Sequence, residues 1–234
     1  NNLIYRYVLG VKAIVTGDAE LDINGWYMVL SNHQSWVDIV ALQMIFNRRI
    51  PILKFFIKQE LIKVPLLGFA WWALDFPFMK RYSAEFLKKN PHLKGKDIEI
   101  TRRACEKFKT TPVSVMNFVE GTRYTLKKHD RQKSPYRHLL KPKAGGTGFV
   151  FSIMGSSIRS ILNVTIVYPH GDTNFWHYLC GRVQDIRIHI EQMPLTDDLV
   201  GDYENDGEYR KHFQKWVNEL WEKKDLQIER MKMQ

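Results

Sequence analysis

The sequence predicts an α/β fold in which a central, mostly parallel sheet is flanked by helices. Runs at 26–30 and 113–119 have the length of strands and are mainly apolar, which is typical of buried parallel strands. Segments with helical spacing separate the strand-like runs along the chain. Polar residues follow immediately where both of these runs end, and ligands bind at such strand ends in open α/β sheets.

Composition limits the classes of protein and partner. At 234 residues, with 44% hydrophobic and 26% charged residues, the chain is expected to form one globular domain over 1–234. Its net charge of +10 predicts an anionic partner, such as a nucleic acid, an anionic lipid surface or a phosphorylated substrate. The two cysteines, Cys105 and Cys180, favour a reducing compartment. No run of about 18 apolar residues is present to cross a bilayer.

The first part of the chain is predicted to contain three strands and one helix. Turns at Gly17-Asp18 and Asn24-Gly25 bound the first two strands. Apolar residues at helical spacing then give a helix whose basic C-terminal turn suits the helix dipole. A proline in the next apolar run favours a strand at a sheet edge. The predicted ranges are 11–15, 26–30, 36–47 and 50–53.

Residues 54–79 are the most apolar part of the chain, and Pro65 suits the first turn of a helix there. Two interpretations stay open. The helix is either buried in the core, or it faces lipid or lines an acyl site. The Trp71-Trp72 pair and the flanking lysines favour the second interpretation.

The second part of the chain again alternates helices and strands. Polar residues with Asn90-Pro91 predict a short helix and a surface loop over 82–96. Residues 183–190 alternate with period two, which predicts a half-exposed strand at a sheet edge. An amphipathic pattern predicts a C-terminal helix over 207–231. The other predicted elements are helices over 97–109 and 144–157 and strands over 113–119 and 163–167.

The first polar strand end carries His33, and Asp38 follows five residues later. Within one helix these side chains would lie about 140° apart, so they meet only if the chain turns between them. Ser35 as N-cap, with Asp38 three residues on, fits a capping box and brings Asp38 back toward His33. A histidine oriented by a carboxylate is a general base, although a loop histidine beside a capping aspartate also occurs without chemistry.

The second polar strand end is Glu120-Gly121-Thr122-Arg123. Gly121 permits a tight turn, Arg123 offers a bidentate fork for a phosphate, and Thr122 adds a hydroxyl. Eight basic residues and one acid fill 123–143, which is either a solvated face or an anion site. Glu120 would repel an anion, so we expect a structural partner for it, such as a backbone amide or an arginine. His170 and His177 lack carboxylate or cysteine neighbours at metal-ligand spacing, and we expect no metal.

Five motifs in order resemble those of the glycerolipid acyltransferases, the 1-acyl-sn-glycerol-3-phosphate acyltransferases and their relatives. They span about residues 31–169. The chain looks similar to probable acyltransferases of the bacterial inner membrane. It departs from the pattern at Asp75, where the second motif has Gly, and in its longer basic stretch 124–141. The matching segments are Asn32-His33-Gln34-Ser35-Trp36-Val37-Asp38, Phe78-Met79-Lys80-Arg81, Glu120-Gly121-Thr122-Arg123, Lys143-Ala144-Gly145 and Val167-Tyr168-Pro169.

The resemblance implies a glycerol-3-phosphate acyltransferase-like fold and transfer of an acyl group to a lysophospholipid hydroxyl. The donor would be acyl-CoA or acyl-carrier protein, and no cofactor is implied. His33 and Asp38 would be catalytic, and a second group of residues would hold the substrate phosphate. Motif residues with structural roles would be Asn32, Ser35, Glu120, Gly121 and Pro169. The phosphate-binding residues would be Arg81, Thr122, Arg123 and Lys143.

The resemblance also implies a place in the cell, namely an anionic membrane surface at the cytoplasmic face of the bacterial inner membrane. Because similar proteins carry an N-terminal membrane segment, and this chain begins at Asn1 without an initiator Met, we expect that such an anchor is missing from it.

Three alternatives remain beside acyl transfer. A thioester hydrolase would use the same His33 and Asp38 to activate water, with no need of a phosphate site. A nucleic-acid-binding domain would explain the charge, but only Tyr124 and Tyr136 interleave the basic run. A non-catalytic membrane-binding protein would explain the tryptophans and lysines but not the His33–Asp38 pair.

Overall fold

A computed structural model describes residues 12–17, 19–79, 89, 96–171, 176, 180 and 185–233. Most of its strands join in one six-stranded sheet, and β4 and β5 form a separate two-stranded sheet. The strands are β1 Lys12–Thr16, β2 Tyr27–Ser31, β3 Leu53–Phe55, β4 Ile57–Lys58, β5 Phe78–Met79, β6 Ser114–Phe118, β7 Ser160–Val167 and β8 Asp185–Pro194. The α-helices are α1 Val37–Ile45, α2 Leu67–Ala73, α3 Lys96–Phe108, α4 Leu126–Gln132, α5 Gly145–Met154 and α6 Gly207–Met233, with 3-10 helices at Gln59–Lys63 and Asp197–Leu199.

The six-stranded sheet has the order β1-β8-β7-β2-β6-β3. Every neighbouring pair is parallel except β7 with β8, which is antiparallel. The predicted α/β fold with a mostly parallel sheet is therefore confirmed.

Helices cover both faces of the sheet at β2, and this explains why every residue of β2 is buried. On β2, Met28 and Leu30 pack into one apolar cluster with α3, α5 and α6. The alternate residues Tyr27 and Val29 pack into a second cluster with α1 on the opposite face. Burial on both faces removes the polar alternation that a half-exposed strand would show.

The topology brings three strand ends together at one edge of the sheet. β2 lies between β6 and β7 and is parallel to both. Ser31, the last residue of β2, pairs with Phe118 on one side and with Val164 on the other. The loops that follow these three strands must therefore start side by side, which is the position of ligand sites in open α/β sheets.

Two of the predicted strands are placed differently in the structure. β8 is not an edge strand, because it pairs with both β1 and β7. Its alternation arises because one face packs against the α1 cluster while the other is only partly covered. The strand predicted at 50–53 is Leu53–Phe55, because the N–H of Ile50 still donates to Phe46 O (3.3 Å) at the end of α1. β3 does lie at the sheet edge, as predicted.

The apolar segment 54–79 does not form a buried core helix. Its helix α2 presents large apolar side chains to the solvent, so the core interpretation of the sequence is wrong. Within the described residues, no helix is both long enough and apolar enough to cross a membrane. The predicted short helix and loop over 82–96 fall almost entirely outside the described residues. The exposed fractions are 86% for Leu66, 68% for Phe69, 63% for Trp72 and 49% for Leu74.

The long helix α6 carries a buried lysine beneath the sheet. Lys224 is 1% exposed, and its Nζ donates to Val164 O (2.6 Å) and Thr165 Oγ1 (3.3 Å) on β7. Burial lowers the pKa of Lys224 to about 7, although Glu191 and Glu120 act in the opposite direction. Between about pH 7 and pH 10.5, Lys224 therefore releases a proton on folding that it keeps in the unfolded chain.

We predict that replacing Lys224 by Met flattens the dependence of stability on pH. Between about pH 7 and pH 10.5 the unfolded chain binds more protons at this lysine than the folded chain. The free energy of unfolding of the wild type should therefore rise relative to Lys224→Met by about 2 kcal/mol between pH 7 and pH 9. Urea unfolding at both pH values measures it. The neighbouring exposed Lys223→Met is the control and should follow the wild type; a Lys224→Met curve parallel to it contradicts the prediction.

Candidate active site

The site lies at the common edge where β2, β6 and β7 end. The loop after β2 carries His33, the turn after β6 carries Glu120 to Arg123, and Tyr168 follows β7. Asn32 joins two of these segments, because its buried side-chain amide donates to Ile166 O and accepts from Ile166 N, both at 2.9 Å. This amide continues the pairing of β2 with β7 beyond the last strand residue.

His33 and Asp38 meet as the sequence predicted. His33 Nδ1 lies 2.8 Å from Asp38 Oδ2, and the same oxygen accepts the N–H groups of Gln34 (2.6 Å) and Ser35 (2.9 Å). The turn between the two residues is thus closed by the carboxylate itself. A carboxylate only accepts, so Nδ1 carries the proton and the Nε2 lone pair is left for a substrate proton.

The capping arrangement at the start of α1 differs in one detail from the prediction. The N-cap residue is Trp36, not Ser35, and its side chain makes no capping bond. Ser35 Oγ instead accepts the N–H of Val37 (3.1 Å). The half of the capping box in which Asp38 reaches back to Ser35 is present, because Asp38 provides the buried acceptor that these N–H groups require.

The surroundings fix both side chains. Asp38 is fully buried, and its second oxygen Oδ1 accepts the hydroxyl of Tyr168 at 2.5 Å. The ring of His33 stacks on Phe118 with 3.9 Å between ring centroids, and its side chain is 12% exposed. The imidazole is therefore held in one orientation by a carboxylate and an aromatic ring, while a substrate can still reach it.

Glu120 is a buried structural carboxylate that links the two halves of the site. Its Oε1 accepts the N–H of His33 (3.2 Å), and its Oε2 accepts the N–H of Leu140 (3.1 Å). Burial raises the pKa of Glu120 to about 8, against the effect of these two N–H groups and of Lys224. Of the two kinds of partner expected for Glu120, a backbone amide or an arginine, the structure shows backbone amides, and they tie the basic segment before Lys143 to the His33 loop.

The basic turn after β6 faces this loop. Gly121 has a φ of 69°, which favours glycine, and a Cβ there would lie 3.3 Å from Lys143 Cδ. The guanidinium of Arg123 stacks over the ring of Trp36 at 4.9 Å. Lys128 Nζ donates to Thr122 Oγ1 and to Arg123 O, both at 2.8 Å. These contacts gather three cations around one turn at the end of β6.

Of the remaining residues singled out in the sequence, Pro169 lies in a turn after β7. Pro169 is the second residue of a turn that is closed by the Gly171 N–H on Tyr168 O (3.1 Å), a position where proline is favoured. Arg81 lies outside the described residues, as does His177.

Sequence reasoning missed two residues of the site. Lys128 belonged to the basic run, but nothing in the sequence distinguished it from Lys127. Tyr168 lies inside the motif segment Val167-Tyr168-Pro169, but the motif pointed to Pro169, and nothing in the sequence connected the tyrosine with Asp38. The geometry as a whole suits removal of a proton from a hydroxyl group beside an anchored anion.

Comparison with known proteins agrees with this geometry. The chain is 25% identical over 240 positions to mouse (Mus musculus) 1-acyl-sn-glycerol-3-phosphate acyltransferase epsilon, which covers 92% of this chain and 60% of the relative. It is 24% identical over 243 positions to zebrafish (Danio rerio) Lysocardiolipin acyltransferase 1, covering 97% of this chain and 58% of the relative. The chain thus spans about 60% of the length of these curated relatives.

The fold is also found in a solved structure. The crystal structure of the 1-acyl-sn-glycerophosphate (LPA) acyltransferase PlsC from Thermotoga maritima matches with a TM-score of 0.52 at 18% identity, over 91% of this chain and 73% of that one. The family model described as Acyltransferase matches residues 12–168, which include every strand end of the site. With its His33–Asp38 pair and its basic turn inside that match, the chain belongs to the Acyltransferase family.

Proposed function

We propose that this chain transfers a fatty acyl group from acyl-CoA or acyl-carrier protein to the free hydroxyl of a lysophospholipid. The acceptor is lysophosphatidic acid, and the product is phosphatidic acid. One observation carries the proposal. The His33–Asp38 pair and the cationic turn around Arg123 lie at adjacent strand ends, so that a base and a phosphate site face the same space.

The transfer needs only one proton relay. His33 Nε2 takes the proton of the acceptor hydroxyl, and the hydroxyl oxygen attacks the carbonyl carbon of the thioester. The carbon–sulfur bond then breaks, and the departing thiolate takes the proton from the imidazolium. Asp38 stabilises the imidazolium through Nδ1, at a distance of 2.8 Å.

The phosphate is the natural anchor for such an acceptor. Arg123 provides a planar fork for phosphate oxygens, and the Lys143 side chain lies against Gly121 in the same turn. Lys128 holds Thr122 and the backbone of Arg123 in place. The relatives named above act, by their names, on 1-acyl-sn-glycerol-3-phosphate and on lysocardiolipin, and both names describe lysophospholipids.

The deciding experiment is detection of the lipid product by mass spectrometry. We expect phosphatidic acid from acyl-CoA and lysophosphatidic acid in liposomes. His33→Ala should lower turnover about 1000-fold, because it removes the general base. The exposed His212→Ala, paired with Asp198 on the surface, is the matched control and should retain wild-type turnover. Wild-type turnover in His33→Ala would refute the mechanism, and free fatty acid as the sole product would support a thioester hydrolase instead.

We predict that two neighbouring charge deletions, Lys128→Met and Lys127→Met, differ in their effect on the KM for lysophosphatidic acid. The difference distinguishes a specific contribution to phosphate binding from a general effect of positive charge. Lys128→Met should raise the KM for lysophosphatidic acid about ten-fold. It removes the charge-assisted hydrogen bonds that hold Thr122 and the backbone of Arg123, and such a bond contributes roughly 1.5 kcal/mol or more. Lys127 is exposed, and Lys127→Met should change that KM less than two-fold. Steady-state kinetics with varied acceptor measures both. Equal effects of the two variants, or an unchanged KM in Arg123→Ala, would contradict the phosphate assignment.

We further propose that the enzyme works on an anionic membrane surface and that α2 touches the bilayer. We call the exposed side chains of Leu66, Phe69 and Trp72 the α2 patch. Exposed Trp and Phe side chains of this kind favour the interfacial region of a bilayer. A row of stacked rings leads to the site from Phe76, which follows α2 in the chain. The distances between ring centroids are 6.3 Å for Phe76–Phe55, 6.0 Å for Phe55–Phe118 and 3.9 Å for Phe118–His33.

The charge and the cysteines specify which membrane face is proposed. A net charge of +10 is attracted to anionic headgroups. Cys105 and Cys180 are both free thiols, which suits a reducing compartment. We therefore place the chain at the cytoplasmic face of a membrane, which in a bacterium is the inner membrane.

Vesicle binding tests the α2 patch directly. Replacing Phe69 and Trp72 together by Gln should weaken co-sedimentation with vesicles of phosphatidylglycerol and phosphatidylcholine about ten-fold or more, because two large apolar side chains leave the interface. The control is Leu226→Gln on α6, whose side chain is 61% exposed. It should bind like the wild type. Unchanged binding of the double variant would show that α2 does not face the bilayer.

A further inference from the structure

We propose that Tyr168 is a positioning residue that sets the orientation and charge distribution of Asp38, and through Asp38 the strength of His33 as a base. The inference rests on the proposed role of His33 in acyl transfer. Tyr168 acts through another residue, so it is not itself in contact with the reacting atoms.

The contact is short and fully enclosed. Tyr168 Oη donates to Asp38 Oδ1 at 2.5 Å, Asp38 has no exposed surface, and Tyr168 is 4% exposed. The two residues lie 130 positions apart in the chain. A hydrogen bond from a hydroxyl to an ionised carboxylate is among the shorter and stronger ones in proteins.

The two oxygens of the Asp38 carboxylate accept hydrogen bonds from different groups. Oδ2 accepts from His33 Nδ1 and from the N–H groups of Gln34 and Ser35, whereas Oδ1 accepts from Tyr168. Without the phenol, the carboxylate could rotate, and more of its negative charge would be available to the imidazole. Tyr168 therefore holds Oδ2 toward His33 and limits how strongly Asp38 stabilises the protonated ring.

The frame around Tyr168 fixes its position relative to His33. The Asn32 side chain is locked to both backbone groups of Ile166, two residues before Tyr168. The turn after Tyr168 is closed by the Gly171 N–H. The phenol is thus placed from both sides, so its bond to Asp38 follows from the backbone and is not a chance rotamer.

Another titratable group, Glu120, faces the same loop, and its contacts must stay unchanged in the test. Glu120 accepts the N–H of His33, and burial raises its pKa to about 8. Replacing Tyr168 by Phe changes neither Glu120 nor its two hydrogen bonds. A change in the pH dependence of Tyr168→Phe can therefore be assigned to the Asp38–His33 pair.

The test compares two buried tyrosines. Tyr168→Phe should lower kcat about ten-fold and leave KM for both substrates within two-fold. It should also move the acid limb of the kcat/KM profile about half a pH unit upward, because a less restrained Asp38 keeps His33 protonated to higher pH. The control is Tyr209→Phe, whose hydroxyl donates to Leu199 O at 2.6 Å. It should leave the profile unmoved.

A double-variant cycle distinguishes a positioning role from a structural one. In an Asp38→Asn background, Tyr168→Phe should change the residual turnover less than two-fold, because its route to His33 is gone. The proposal is overturned by an equal loss in both backgrounds, by a wild-type pH profile in Tyr168→Phe, or by the same shift in Tyr209→Phe.

Two further measurements keep the outcomes separate. In the wild type, the strongly deshielded phenol proton expected from this short bond should appear in the NMR spectrum and vanish in Asp38→Asn, which tests the contact even if Tyr168→Phe does not fold. If His33→Ala keeps its activity, the proposed function fails. If His33→Ala is inactive and Tyr168→Phe behaves as wild type, only the role of Tyr168 fails.

Discussion

The buried carboxylate of Asp38 is the interaction on which the site depends. It accepts four hydrogen bonds, from the His33 ring, two backbone N–H groups and the Tyr168 hydroxyl. A buried charge is costly unless it is satisfied, so these donors stabilise the folded state by satisfying it. The same requirement turns the chain between His33 and Asp38 and points Nε2 outward. Stability and the proposed chemistry therefore share one set of contacts.

A second buried carboxylate, Glu120, does for the basic segment what Asp38 does for the histidine loop. It joins the His33 N–H to the Leu140 N–H and so ties the proposed phosphate site to the proposed base. Parallel pairing of β2 with β6 and β7 makes both links short. The sheet thus supplies proximity, and two buried acids convert it into a defined geometry.

The surface beyond the site fits a lipid substrate. The α2 patch is apolar, whereas the turn at Arg123 is cationic, and a row of aromatic rings leads from Phe76, just after α2, to His33. An amphipathic acceptor has a matching division between acyl chain and headgroup. In the proposed function the enzyme therefore meets its substrate at a membrane, with the reacting hydroxyl between these two environments.

The sequence by itself determined the α/β class, both polar strand ends and the meeting of His33 with Asp38. Local signals suffice for these, because strand apolarity, turn residues and capping spacing act over a few positions. Only the tertiary structure decided that β8 is internal, that α2 is exposed and that Lys128 and Tyr168 join the site. Strand order and the contact of Tyr168 with Asp38, 130 positions away, depend on how the whole chain packs, and no local pattern records them. Lys128 bonds to residues only five and six positions away, but a run of basic residues does not show which of its side chains turns toward the site.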